Sequence, residues 1–531
     1  MTARFPRGAA AVTLAAGLAL SATACSTPED GKAATGRTDS AVVGIAYEPD
    51  TLSPLLGYGK DGNSKIFDGL LTHDAGMHLK PALATTLPKV TDGGRTYTFD
   101  LRRGVTFSDG KPFSADDVVF TYSTILDTKT NNASKAELDA LKGVEKKDDH
   151  TVVFHLKYPY APFAERTVLP IAPQHIAGKQ DINHGSFTTK PIGTGPYVLT
   201  HWSKGEKLTF KANPHYWGGA PKVKNFTMAI IKDDDIRATR LRSGDLDGAI
   251  LPPELAATFK GDKHRTTVTA TTFDYRNVTL PSGNPVTGAK AVRRALDLAV
   301  DREAMVKGIL NGAGKPAYGP VPTDSPWFAK GTERPHDLKK AERILDDAGW
   351  KKGPDGIRTK GHQRASFTLW YLSGDKLRQE HALAFASDAK KAGIEAKVES
   401  GTWEAIEPRM AKDAVLAGGG SPADPDFDQY LLLHSSLAGD GFNNMSRYAD
   451  KTVDAKLTEA RRTDDQSARK AAYDAVQRRL VDNPAYTFLT HVDHVYVIAD
   501  RWKGLTTQTE PHDHGLASGP WWNVEDWQPA T

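Results

Sequence analysis

The chain has 531 residues, 39% of them hydrophobic and 25% charged, which excludes a disordered chain, a coiled coil and a collagen-like rod. With 68 Lys and Arg residues against 65 Asp and Glu residues, the net charge is +3, so no nucleic-acid partner is expected. The single cysteine excludes an intramolecular disulfide and a cysteine-based zinc site, which leaves a large globular protein.

Residues 1–24 are predicted to be a cleaved signal peptide. Arg4 and Arg7 precede a run of small and apolar residues, 8–24. This run is too short and too rich in Ala and Gly for a membrane-spanning helix. The sequence therefore predicts an exported protein.

Cys25 follows this run directly and resembles the acylated cysteine of a bacterial lipobox. The alternative is cleavage by ordinary signal peptidase, because Ala22 and Ala24 also fit an Ala-x-Ala site. Residues 25–40 are polar and are predicted to form a flexible tether. With Cys25 as lipid anchor, the expected location is extracytoplasmic, on the outer face of the cell membrane or in the periplasmic space.

The first half of the body combines strands with a well-marked helix start. Residues 42–47, 95–101 and 152–156 have the composition or alternation of strands. Ser114 precedes an acidic residue three positions on and an apolar run, which is typical of a helix N-cap. Residues 78–189 are therefore predicted to form a small α+β unit.

A strand, a helix and a second strand follow one another in the second half. Residues 367–371 alternate, residues 376–391 form a helical pattern that ends before Gly393, and residues 394–398 alternate again. Short connections between these segments predict a βαβ unit with a parallel strand pair.

Ligands of open α/β sheets bind beyond the carboxyl ends of the strands. This rule predicts that Tyr371, Ser373 and Trp403 line a cleft. Packing of Trp403 beneath a loop is an equally good interpretation.

No motif in the chain predicts catalysis, a metal site or a cofactor. Residues 57–62 have the spacing of a dinucleotide fingerprint but lie too far from the preceding strand. Ser421 resembles the nucleophile of a hydrolase elbow, but Pro422 removes a backbone N–H that the oxyanion hole would need. His491 and His494 lie on a predicted strand and point to opposite faces, which argues against joint metal binding.

Several segments in order resemble the large extracytoplasmic solute-binding proteins of peptide and nickel importers of the ATP-binding-cassette (ABC) class. The resemblance covers essentially the whole chain beyond the signal peptide. The segments that carry it are Thr96–Phe120, Gly193–Tyr197, Asn213–Gly218, Leu241–Asp247, Val292–Arg302 and Ala341–Trp350.

The resemblance implies an α/β fold of the periplasmic-binding-protein type II kind, with two α/β lobes, a hinge and an inserted α+β domain. The implied ranges are 41–77, 190–285 and 496–531 for the first lobe, 78–189 for the inserted domain and 286–495 for the second lobe.

The resemblance also implies ligand contacts. Asp424, in a segment that starts at Gly420, matches an aspartate that pairs with the α-ammonium of a peptide. The alternative is that Asp424 forms an Asx-turn before Pro425. Tyr58 and Asp61 align with a ligand-contacting segment of the first lobe. The tryptophan that the family carries beside the glycines is absent here, which implies a more open pocket or a different ligand specificity.

The function implied is that of a monomeric, non-enzymatic receptor that captures peptides and delivers them to ABC permease subunits. A receptor for nickel or another metal chelate is an alternative, with His434 as a candidate contact. An oligosaccharide receptor is another, favoured if Trp370 and Trp403 both face the cleft.

Overall fold

The structure is a computed structural model that describes residues 39–62, 64–132, 134–512 and 518–530. The predicted signal peptide, Cys25 and all but the last two residues of the predicted tether lie outside the described residues. No helix in the described ranges is both long and apolar enough to cross a membrane.

The strands alternate with helices through most of the described chain. The strands are β1 (Ser40–Ile45), β2 (Leu71–His73), β3 (Leu79–Pro81), β4 (Lys89–Thr91), β5 (Thr96–Asp100), β6 (Leu141–Asp148), β7 (Thr151–Leu156), β8 (Tyr197–Ser203), β9 (Lys207–Ala212), β10 (Asn225–Ile230), β11 (Gly248–Leu251), β12 (Arg265–Ala270), β13 (Tyr275–Thr279), β14 (Gly314–Pro316), β15 (Lys351–Lys352), β16 (Arg358–Lys360), β17 (Gln363–Arg364), β18 (Ser366–Leu372), β19 (Glu395–Gly401), β20 (Ala414–Gly419), β21 (Tyr486–Val492), β22 (His494–Ala499), β23 (Trp502–Lys503) and β24 (Gln528–Pro529). The α-helices are α1 (Ala115–Leu126), α2 (Gln174–Ala177), α3 (Asp234–Arg242), α4 (Pro253–Ala257), α5 (Lys290–Ala299), α6 (Arg302–Gly308), α7 (Leu338–Asp347), α8 (Lys376–Lys391), α9 (Trp403–Ile406), α10 (Asp426–Leu433), α11 (Lys451–Arg461) and α12 (Gln466–Asp482).

A mixed sheet of seven strands, in the order β12-β22-β11-β1-β10-β9-β8, forms the first lobe. Its strand β1 is parallel to both β10 and β11, and Val43 opposite Met228 lies in the buried centre of the sheet. Long connections join these parallel strands, as parallel pairing requires.

A second sheet of six strands, in the order β14-β21-β13-β20-β18-β19, forms the second lobe. The predicted βαβ unit is present, because β18 and β19 are parallel with Leu369 opposite Val398 and α8 lies between them in the chain. Buried side chains of α5, α7 and α8 pack with those of this sheet in one core cluster.

The predicted helix start at Ser114 is confirmed. Its side chain accepts the N–H of Asp116 while Asp117 accepts the N–H of Ser114, which forms a reciprocal cap at the start of α1. Helix α1 packs on the four-stranded sheet β4-β5-β7-β6. The buried side chains of this unit belong to the same hydrophobic core as those of the seven-stranded sheet.

Within the described residues, the chain crosses between the two large sheets at residues 271–274 and again at Asp493. Strand β13 lies before the predicted boundary at residue 285, yet it pairs with β20 and β21 of the six-stranded sheet. The change of sheet therefore comes earlier in the chain than that boundary. His491 and His494 do not lie on one strand, contrary to the prediction. They lie in different sheets, because the chain changes sheets at Asp493, whose N–H donates to the Ala313 carbonyl.

Candidate ligand-binding cleft

A cavity of about 580 Å³ lies between the two large sheets, next to the crossing segments. Loop residues of the first lobe line one side, and the end of β20 with the start of α10 lines the other. The residues that line this cavity include Tyr47, Lys60, Asp61, Glu137, Arg166, Asn277, Leu372, Arg378, Trp403, Gly420, Ser421, Phe427, Asp428, Phe442 and His512.

Several residues predicted from sequence lie at this cavity. Asp61, Trp403 and Gly420 line it, and Tyr58 lines an adjoining cavity. Trp403 packs edge-to-face on Phe442, with 5.0 Å between ring centroids. Both interpretations of Trp403 therefore hold, since the ring packs against a loop and borders the cleft.

Tyr371 and Ser373 are not among the residues that line the cavity, contrary to the prediction. Leu372 between them faces it. Successive residues of a strand point to opposite sides, so only alternate residues at the end of β18 can face the cleft. Tyr371 instead packs against the core of the six-stranded lobe.

Asp424 also lies outside the cavity lining, contrary to the prediction that it meets a ligand ammonium. Both carboxylate oxygens bind Arg469, at 2.9 and 2.7 Å, and one of them also accepts the Asp426 N–H at 2.9 Å. The contact between the Asp424 carboxylate and the Asp426 N–H forms an Asx-turn around Pro425, which was the alternative prediction for Asp424. A buried guanidinium therefore already neutralises this carboxylate.

Asp428 lies in the cavity wall four residues further on. Only 8% of its surface is exposed, and one carboxylate oxygen accepts the Ser421 N–H at 2.9 Å. Burial raises the pKa of Asp428 to about 8, although the Ser421 N–H and nearby Lys60 act in the opposite direction. No Lys, Arg or His among the described residues forms an ion pair with it. Sequence analysis missed Asp428, whose position in the first turn of a helix is typical of a dipole-stabilising acid.

Cations reach the same cavity from both lobes. Lys60 binds Glu137 at 3.0 Å, and the Arg166 guanidinium, which pairs with the same carboxylate, lies 3.5 Å from the centroid of the Phe427 ring. Arg378 pairs with Asp375, and its buried Nε has no hydrogen-bond partner among the described residues.

Asn277 is a further buried polar group in the cavity wall. It is 1% exposed, yet neither atom of its side-chain amide has a hydrogen-bond partner among the described residues. Such groups carry a desolvation penalty that a ligand in the cavity can relieve.

Gly420 serves packing between the strands. Its φ is 141°, and a Cβ atom there would lie 2.0 Å from the Phe273 carbonyl oxygen. The close approach of residues 418–420 to β13 and to the residues before it thus favours glycine in this segment.

The hinge consists of the two crossing segments, residues 271–274 and Asp493, and a network of buried charges lies beside it. His494 Nε2 lies 3.0 Å from Asp274, its Nδ1 contacts Glu510, and the Tyr496 hydroxyl donates to Glu510 at 2.7 Å. Burial on its own would lower the pKa of His494, but Glu510 and Asp274 raise it to about 9. His512, which lines the cavity, reaches Asp274 through Nδ1 at 2.6 Å.

A second polar contact joins the two lobes beside the cavity. The Tyr160 hydroxyl, from the segment after β7, donates to Asp426 at 2.8 Å. The same carboxylate oxygen accepts from Arg461 at 3.1 Å, and the Arg461 guanidinium lies 4.8 Å from the Tyr160 ring centroid. We call Tyr160, Asp426 and Arg461 the interlobe clasp.

His434 and Trp370, named for the metal and sugar alternatives, lie elsewhere. His434 stacks on Tyr430 with ring centroids 4.5 Å apart, and its Nδ1 meets the Ser436 hydroxyl at 2.7 Å. Trp370 donates to Asp413 at 3.0 Å. Neither is among the residues that line the cavity.

Residues 78–443 match the family model for bacterial extracellular solute-binding proteins, family 5. The chain belongs to this family. It is 66% identical over 506 residues to Protein XP55 of Streptomyces lividans, with 94% of this chain and 92% of that protein covered. The family resemblance and the α/β fold class predicted from the sequence are thus confirmed.

Two solved family 5 structures have similar folds and bind different ligands. NikZ from Campylobacter jejuni, in complex with Ni(L-His), has a TM-score of 0.86 at 32% identity and covers 92% of this chain and 99% of its own. The oligopeptide-binding protein AppA from Bacillus subtilis, in complex with a nonapeptide, has a TM-score of 0.81 at 30% identity and covers 93% and 99%. Family membership alone therefore does not select one ligand.

Proposed function

We propose that the protein is the substrate-binding component of an ABC importer that captures peptides in the interlobe cavity through their free amine. The observation that carries this proposal is Asp428, a buried carboxylate in the cavity wall with no cation paired to it among the described residues. Because the pKa of Asp428 is raised to about 8, its side chain is mainly protonated in the ligand-free cavity at pH 7. An ammonium group would favour the ionised form, and such charge-assisted contacts are strong in a desolvated cleft.

The other end of a peptide finds suitable partners in the same cavity. Arg378 offers a guanidinium with an unpartnered Nε, and Asn277 offers an unpaired amide. A carboxylate or peptide group can accept from both, and the amide oxygen of Asn277 can accept a peptide N–H. A zwitterionic chain therefore matches the charges and the hydrogen-bonding groups of the cavity.

Thermal unfolding with matched ligands tests the proposal. A short peptide at a hundred times its dissociation constant stabilises the protein by about 2.7 kcal/mol, and the N-acetylated peptide produces no shift because it lacks the ammonium. Equal shifts for the two peptides would contradict anchoring through the amine, and no shift with any peptide would contradict peptide capture.

A receptor for a nickel–histidine chelate is the second candidate, supported by the likeness to NikZ. Across the described ranges, no group of three or more His, Cys, Asp or Glu side chains is arranged to hold a metal ion. The metal would therefore arrive with its own ligands, whose carboxylates could meet Arg378. A thermal shift with nickel–histidine and none with peptides would select this function.

The proposed receptor is a monomer without catalytic activity that delivers its ligand to permease subunits in the membrane. Ser421, the residue of the hydrolase-like motif, donates its N–H to Asp428, which supports a binding role for this loop. Measuring hydrolysis of a peptide during prolonged incubation tests the absence of catalysis, and intact peptide is the expected result.

We also propose that Cys25 carries the lipid anchor, as its lipobox-like context indicates. Cys25→Ser should move the protein from the membrane fraction to the soluble extracytoplasmic fraction. An unchanged distribution would contradict lipid anchoring through this residue.

A further inference from the structure

A second, larger cavity adjoins the cleft that holds Asp428. Its volume is about 1120 Å³, against about 580 Å³ for the first, and a typical pocket for a small molecule spans roughly 300–1,000 Å³. The residues that line both cavities, and so mark their common boundary, are Tyr47, Lys60, Glu137, Leu431, Phe442 and Asn443.

Two aromatic rings at this boundary are unusually exposed. Tyr47 and Phe442 are each 49% exposed, and in the described part of the chain they are the only aromatic residues among the large hydrophobic side chains that remain exposed. One comes from the first lobe and the other from the second. Apolar surface left open inside a cleft is typical of a ligand contact.

The loop of Phe442 is built to present its ring. Gly441 has a φ of 54°, in the region that favours glycine, and the edge-to-face contact with Trp403 fixes the ring at the cavity boundary. The ring is therefore held in place while part of its surface stays available.

The interior of the larger cavity carries apolar walls beyond this boundary. Leu56, Tyr58, Leu126 and Met228 line it and do not line the smaller cavity. A ligand whose amine is held at Asp428 can thus continue past the two rings into a separate, partly apolar space.

We propose that the larger cavity is a second compartment of the binding site, which holds the part of a peptide that extends beyond its N-terminal residues. Tyr47 and Phe442 contact the chain where it passes from one compartment to the other. This inference rests on the proposed function and assigns oligopeptides, rather than dipeptides, as the preferred ligands.

Calorimetric titration with dialanine and pentaalanine, both with free amines, tests the proposal. The pentapeptide should bind at least about tenfold more tightly, because it buries apolar surface that the dipeptide leaves exposed. Asp50→Trp partly fills the larger cavity from an exposed position that does not line the smaller one. It should bring the affinity for pentaalanine down to that for dialanine, whose own affinity should stay unchanged.

Asp347→Trp is the matched control, since it makes the same substitution at an exposed position outside both cavities, and it should keep the preference for the longer peptide. Phe442→Ala should also reduce that preference, whereas Leu383→Ala, which removes an exposed side chain outside both cavities, should not. Equal affinities for the two peptides in the unmodified protein would overturn the second compartment and leave the proposed function intact. Absence of binding by either peptide would overturn both.

Discussion

Asp424 and Asp428 lie four residues apart, and their surroundings give them different roles. Both are buried, but Asp424 has two contacts with Arg469, whereas Asp428 has one backbone N–H and faces the cavity. A paired carboxylate in this position stabilises the fold, and an unpaired one is available to a ligand. The two residues therefore form a natural pair of test positions.

Asp428→Asn should weaken binding of a free-amine peptide by about 2–5 kcal/mol, because the desolvated ammonium loses its counter-charge.

The same change should stabilise the ligand-free protein at alkaline pH. Because the pKa of Asp428 is about 8 in the folded protein and 3.8 for an ordinary Asp side chain, its effect on the free energy of unfolding becomes increasingly unfavourable as the pH rises from 3.8 to 8. Urea unfolding should therefore show a gain at pH 8 that disappears near pH 4.

Asp424→Asn should have the opposite effects. It leaves the Arg469 guanidinium buried without its partner, which should lower the free energy of unfolding by about 3–5 kcal/mol. Peptide affinity, measured by calorimetry well below the unfolding transition, should stay unchanged. Loss of affinity with unchanged stability would restore Asp424 as the ligand anchor.

The sequence could predict the neighbourhood of the site better than its individual contacts. Residues 57–61, the end of β20 and Trp403 all lie at the cavities, where the family resemblance and the rule on strand ends predicted ligand contacts. The choice between Asp424 and Asp428 depends on Arg469, which follows the acids by more than forty residues in a different helix. No local pattern reports such a long-range pairing.

At the scale of elements, local signals predicted helices and strands well. The reciprocal cap at Ser114 and the βαβ unit of β18, α8 and β19 depend on residues close together in the chain. The break at Asp493 could not be predicted, because residues on both sides favour strands. The change of sheet there results from packing between lobes, where tertiary context overrides strand propensity.

His494 should make the hinge sensitive to alkaline pH. Its pKa rises from 6.5 to about 9 on folding, so its stabilising contribution is full below pH 6.5 and is lost as the pH approaches 9. His494→Gln should flatten the pH dependence of the free energy of unfolding across this window, measured by urea titration at several pH values. His78→Gln, at an exposed histidine in another part of the chain, is the control and should leave the slope unchanged. If the His494 variant showed the same slope as the unmodified protein, this role of His494 would be contradicted.

At the scale of the whole molecule, the interlobe clasp should hold the two lobes together around the ligand. Tyr160→Phe removes the hydroxyl that binds Asp426 and keeps the ring beside Arg461. Loss of a hydrogen bond to a charged group should weaken ligand binding by about 1.5–3 kcal/mol. Stopped-flow measurements should place the change mainly in the dissociation rate, since association precedes closure.

The matched control for the clasp is Tyr97→Phe. Tyr97 donates its hydroxyl to the Tyr160 carbonyl at 3.2 Å within the first lobe, and this bond does not cross the cleft. Its loss should change stability without changing the dissociation rate of the ligand. A faster dissociation in this variant as well would show that general loosening, rather than the clasp, determines ligand release.

Residues 508–512 run past both crossing segments of the hinge. Gln508 donates to the Asp74 carbonyl in the first lobe, and the His512 N–H donates to the Gly420 carbonyl in the second lobe at 2.8 Å. Between them, the Phe273 N–H donates to the Glu510 carbonyl at 2.9 Å and the Glu510 N–H donates to the Thr271 carbonyl at 3.0 Å. These residues follow both large sheets in the chain order. Trp521 and Trp527, which lie in the buried core of the first lobe, come still later in the chain, so the hinge can be completed only when nearly the whole chain is available. The protein should thus become able to retain a ligand only after nearly its whole length has crossed the membrane, which prevents it from capturing peptides while still in transit.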